Sequence, residues 1–135
     1  MSMLFPKVDP AALPVVWAPL LVRPIAHGPE NFVAAIAARS DSGEVGCYPL
    51  VNRRRIGALC PGHADTVSAV VDASLVSLRS HLQSQMGIDT WRSPFEGTAL
   101  GRPARVYVRK FSDVFGMAAR TCSAFSDMRQ FETRR

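Results

Sequence analysis

Long uninterrupted apolar runs are absent from this chain, and with them the roughly 18 or more consecutive apolar residues that a membrane-spanning helix needs. The most apolar opening stretch, Leu13 to Val22, is broken by Pro14 and Pro19. It also lacks a basic lead-in and a small-residue cleavage site, so no secretory signal is read there. Cysteine is scarce: Cys47, Cys60 and Cys122 are an odd number spread widely, which argues against a disulfide framework. Reduced thiols and a cytoplasmic location are the expectation. Gly43, Gly57 and Gly62 stand isolated, and no glycine-rich phosphate loop with its lysine and hydroxyl is present. Charged residues make up only 20% of the chain, slightly little for a small soluble surface, which leaves room for apolar area covered by a partner.

What is present favours folding. At 135 residues and 47% hydrophobic, the chain is long enough for one core and short for two, so residues 1–135 are read as one domain. Pro6, Pro10 and Pro14 make residues 1–14 an irregular arm, and residues 127–135 read as a flexible tail. The net charge of +5 is unevenly placed: residues 1–60 contribute +2, residues 61–98 contribute −2 and residues 99–135 contribute +5. The C-terminal third could therefore meet an acidic protein surface or a phosphate backbone.

Residues 15–25 suit an extended, edge-like strand, with prolines at bends or at positions whose missing N–H leaves no gap in a ladder. Residues 32–39 and 44–51 read as a hairpin closed by Ser40-Asp41-Ser42-Gly43-Glu44, with Gly43 at positive φ. Period two places Phe32, Ala34, Ile36 and Ala38 on one face and Val33, Ala35 and Ala37 on the other. Both faces are apolar, as in a central strand.

Asn52 can cap a short helix through Arg53 to Cys60, ended by Pro61-Gly62. The clearest element is a helix over 64–85. Val67, Val70, Val71, Ser74, Leu75, Leu78 and Leu82 form one stripe, Asp65 opposes the positive helix end, and Gly87 is placed to take the left-handed stop. Residues 87–103 read as a long loop holding Trp91 and Phe95. Residues 104–111 alternate as a strand with Arg105, Tyr107, Arg109 and Phe111 on one face, and Val106 and Val108 on the other. A second helix follows Ser112, with Val114, Phe115, Ala118, Ala119, Cys122 and Phe125 as its stripe. The predicted fold class is α+β, a small antiparallel sheet of 3–5 strands packed against one long and one shorter amphipathic helix.

No residue set makes a strong chemical motif. Cys60 and His63 lie three positions apart and could hold a metal ion with Cys47, His27, His81 or Cys122, but no second close ligand pair exists. The bland account is a buried Cys60 and a helix-start His63. Cysteine catalysis by Cys60 or Cys122 with His63 or His81 needs a thiolate, an imidazole within about 3 Å and oxyanion donors, none of which spacing supplies. No cofactor is expected.

Two surfaces remain as binding candidates. Arg53, Arg54 and Arg55 form one basic run, and Arg105, Arg109 and Lys110 with Arg102 form another around Tyr107, which suits phosphates and an unpaired base. The plain alternative is a solvated arginine face. Trp91, Phe95, Met128 and Phe131 could serve as apolar anchors beside arginines, as at interface rims; each could instead complete the chain's own core. The reading is a noncatalytic protein-interaction or accessory domain, self-associating or a subunit of a larger complex. The alternatives are a small basic nucleic-acid-binding protein and a small Cys/His enzyme or metal-binding protein.

Overall fold

The structure, a computed structural model, describes residues 12–23 and 31–122. Five strands form one antiparallel sheet: β1 (Leu13–Val22), β2 (Phe32–Ser40), β3 (Val45–Pro49), β4 (Thr98–Leu100) and β5 (Ala104–Val108). Helices α1 (Arg53–Leu59) and α2 (Ala64–Gln83) lie between β3 and β4, and α3 follows β5, helical over residues 113–122. The α+β class is thus as predicted from sequence. Met128, Phe131 and the tail 127–135 lie outside the described residues, as do most of the arm, His27 and Phe125. Leu13 and Pro14 belong to β1 and not to the arm.

In the sheet, β3 pairs β2, β2 pairs β1, and β1 carries both β4 and β5 on its other flank. β5 runs against Leu13 to Trp17 and β4 against Leu20 to Val22. The edge-like reading of β1 is therefore corrected: it is paired on both sides. Its prolines survive there because of where their missing donors fall. The Pro14 carbonyl accepts from Asp41 N at 3.2 Å, just past the end of β2, and the Pro19 carbonyl accepts from Gly101 N at 2.7 Å, in the gap between β4 and β5. Amide and carbonyl of a strand residue point the same way, so each absent N–H faces a place where the ladder has already ended.

The β2–β3 hairpin closes as expected, with Gly43 at φ 99° and the Ser40 hydroxyl accepting from Glu44 N at 3.0 Å. The face assignment along β2 needs correction. Leu20 pairs Ala35 but Leu21 pairs Val33, so Ala34 is an extra residue in the ladder. This bulge reverses the phase upstream of it. Ala34, Ala35 and Ala37 join the core under α2, with Phe32 packed against it, whereas Ile36 and Ala38 join the core under α3, with Val33 packed against it.

Both faces of the sheet are consequently covered. On one, Ala18, Leu20 and Val22 meet Ile56 of α1 and Val67, Val71, Leu75, Leu78 and Leu82 of α2. Small alanines on β2 let the helix approach closely. Each fully buried leucine such as Leu78 or Leu82 contributes about 1.5–3 kcal/mol before entropy is charged against it. On the other face, Val15, Trp17, Ile36 and Ala38 meet Val114 and Ala118 of α3. Asn52 caps α1 by accepting from Arg55 N at 2.8 Å. The stop of α2 differs from expectation: Gln85 takes the positive φ of 67°, and Gly87 is extended.

The predicted long loop is more ordered than its composition suggests. It contains a 3-10 turn at Ile88–Thr90 and then β4. β5 ends at Val108, so Phe111 does not share the face of Arg105 and Tyr107; it packs in the α3-side core edge-on to Phe115, with ring centroids 5.6 Å apart.

Candidate interaction surface

The outer side of β5 is the candidate site, and its geometry follows from β1. Odd-numbered residues of β1 point their backbone groups toward β4 and β5, as the Gly101 to Pro19 bond fixes. Leu13, Val15 and Trp17 therefore exchange hydrogen bonds with Val108, Val106 and Ala104, their register partners. Arg105 and Tyr107 are left with N–H and C=O directed away from β1, and no strand flanks β5 there among the described residues. Both side chains are exposed, Tyr107 at 56%. Arg105 pairs with the Asp41 carboxylate at 2.6 Å.

The opposite edge of the sheet is built differently. By the same alternation Val45, Cys47 and Pro49 direct their backbone groups outward from β3. The Cys47 carbonyl accepts from Arg79 at 3.4 Å, and Pro49 has no donor to offer. One edge is therefore blunted by an arginine and a proline, two common defences against strand pairing.

Sequence-predicted anchors are dispersed. Trp91 is only 5% exposed within the α2-side core, and its Nε1 donates to the Ser77 hydroxyl at 3.2 Å. It presents its ring to the interior and not to a partner. Phe95 is half-buried. Arg53, Arg54 and Arg55 are exposed at the start of α1, with Arg53 paired to Asp65. Arg109 and Lys110 are exposed just beyond β5. Only Arg105 and Tyr107 stand together on one strand as the alternation foresaw.

Other arginines serve the fold. Arg39 donates to the Met86 carbonyl at 2.6 Å and to Gln85 Oε1 at 3.3 Å, tying β2 to the end of α2. Arg92 donates to the carbonyls of Asp89 and Trp91. No local pattern announces the bonds of Arg39, which join residues far apart in the chain.

The cysteine and histidine candidates do not converge on a reactive group. Cys60 is buried, His63 is exposed at the N-cap of α2, and burial raises the Cys60 thiol above its ordinary value. Burial likewise raises Cys122 and pushes Cys47 up to about 11, against a smaller lowering by Arg79. A protonated thiol is a poor nucleophile and metal ligand. His81 Nε2 sits 2.9 Å from both the Gly87 carbonyl and Thr90 Oγ1. Among the described residues, no group of three or more His, Cys, Asp or Glu is placed to hold a metal ion, and no helix is long and apolar enough to cross a membrane.

A recess of about 410 Å³ lies beside β4, lined by Ile88, Trp91, Ser93, Thr98 and Leu100 among others. Its hydroxyls are already committed: Ser93 bonds to Thr98, Thr98 Oγ1 donates to the Phe95 carbonyl at 3.1 Å, and Ser93 accepts from Phe95 N at 3.1 Å. The group closes the 93–98 turn. Compared with protein-family models, with curated proteins and with solved structures, the chain matches none.

Proposed function

We propose that this chain is a noncatalytic protein-interaction or accessory domain that joins a partner along the outer edge of β5. The observation that carries the reading is the asymmetry of the two sheet edges. Arg105 and Tyr107 turn their backbone donors and acceptors outward on β5, while Arg79 and Pro49 blunt β3. Strand addition to an exposed edge takes affinity from main-chain hydrogen bonds and specificity from alternate side chains, and Arg105 with Tyr107 supplies such an alternating pair.

Nucleic-acid binding has thinner support. Arg53 pairs with Asp65, away from β5, and Arg39, Arg79 and Arg92 donate to backbone carbonyls of their own chain. Such engagement divides the arginines among separate structural tasks, whereas a phosphate backbone is tracked by a continuous basic groove.

The test places a photoreactive side chain at Lys110 in the full-length protein and compares it with the same protein carrying Tyr107→Pro. Proline at 107 removes an outward N–H without touching the β1 ladder. A discrete protein adduct that disappears with Tyr107→Pro, while the circular dichroism spectrum is kept, is the expected result. Adducts indifferent to the proline, or none from any extract, would overturn the reading.

A further inference from the structure

The β5 edge carries a charge that selects among strands, an inference that rests on strand addition at that edge. Between Glu96 and Asp113 the chain has four cations, Arg102, Arg105, Arg109 and Lys110, and no acidic residue. All four are exposed and flank Tyr107 along the chain; the fold sets two carboxylates against them, Asp41 on Arg105 and Asp113 at the Lys110 amide, so cations still outnumber acids at this edge. A second copy of this chain laid edge to edge would bring the same cations against each other, and like charges facing across strands are destabilising. An acidic segment meets the opposite situation: the field draws it in and its carboxylates find donors.

We infer that the partner of the β5 edge is an extended acidic segment of another protein, with carboxylates alternating with apolar residues, added as a further strand. Its backbone pairs with Arg105 and Tyr107. Its carboxylates fall on the face where the Arg105 guanidinium stands, and its apolar side chains fall beside Val106 and Val108 on the α3 side. The Arg105 to Asp41 pair does not block this arrangement. Its side chains are 54% and 52% exposed, so water already competes for the pair and an incoming carboxylate can share the guanidinium.

Fluorescence anisotropy on the full-length chain tests the assignment with labelled octapeptides alternating glutamate with valine, lysine with valine, or threonine with valine. A glutamate peptide N-methylated at alternate amides and an oligouridylate complete the set. The expected result is that the glutamate peptide binds, loses affinity about tenfold or more on N-methylation, equivalent to about 1.4 kcal/mol, and weakens as salt rises. Arg102→Glu/Lys110→Glu, at two exposed positions, should weaken it similarly with no change in the urea midpoint. If the threonine peptide binds as well, or if sedimentation shows a dimer abolished by Tyr107→Pro, strand addition stands and the acidic class falls. If the N-methylated peptide or the oligouridylate binds as tightly as the glutamate peptide, attraction is charge alone and both readings fall.

Discussion

Gly101 and Pro19 meet at the point where the sheet's edge divides into β4 and β5. The Gly101 amide donates to the Pro19 carbonyl at 2.7 Å, and a Cβ on Gly101 would lie 2.8 Å from Pro19 Cγ. A proline can sit inside a strand paired on both flanks because the chain opposite it is leaving the ladder. A side chain at 101 would push that contact apart.

Gly101→Ala is accordingly expected to destabilise the protein by about 1–3 kcal/mol, the usual range for overpacking, read from urea unfolding. Gly57→Ala has the opposite sign. Gly57 lies within α1, where an added Cβ meets only Ala64 Cβ at an ordinary 3.6 Å, so a gain of about 0.4–1 kcal/mol is expected.

The α2 stripe separates two positions that hydrophobicity alone would rank together. Leu78 is fully buried whereas Val76 is 63% exposed. Leu78→Ala should cost about 2–5 kcal/mol, and Val76→Ala should stay within about 0.5 kcal/mol. Equal effects in calorimetry would mean that the helix is not seated as described.

Trp91 tethers the 87–97 segment to α2. Trp91→Phe, which keeps a ring and loses the bond to Ser77, should cost about 1 kcal/mol. Trp91→Ala should cost about 3–5 kcal/mol. Hydrogen exchange should show faster amides in β4 for the alanine variant, because β4 reaches the sheet through this segment.

Burial pushes the Cys47 thiol from its ordinary value of 9.0 up to about 11, against a smaller lowering by Arg79. A raised folded value means that the native state holds the proton more tightly, so the associated stability is full below pH 9 and is lost as pH rises toward 11. Urea midpoints of wild type should fall more steeply over that window than those of Cys47→Ala. Parallel pH profiles would show that the thiol is not buried as described beside Arg79.

Periodic features are legible in the sequence. The helical repeat of Val67, Val71, Leu75, Leu78 and Leu82, the cap at Asn52, the turn at Gly43 and the alternation of Arg105 with Tyr107 are local, and each survives folding because short-range geometry dictates it. The β2 bulge at Ala34 is not legible there. Six of the eight residues from Phe32 to Arg39 are alanine, valine or isoleucine, so neither face announces itself and only pairing with Leu20 and Leu21 reveals the extra residue. Trp91 is ambiguous for a similar reason: an aromatic in a loop looks alike whether it points in or out.

Composition and spacing by themselves determined the class of fold, the seat of α2 and the cationic character of the C-terminal third. Tertiary structure alone decided that β1 is interior, that β3 is blunted and that β5 turns the backbone groups of Arg105 and Tyr107 away from β1. Those properties depend on which strands are neighbours, and neighbourhood is set by contacts between residues far apart in the chain, such as Val15 with Val106 and Ser40. A strand's sequence tells what its side chains prefer to touch; it does not tell whether both of its edges are occupied.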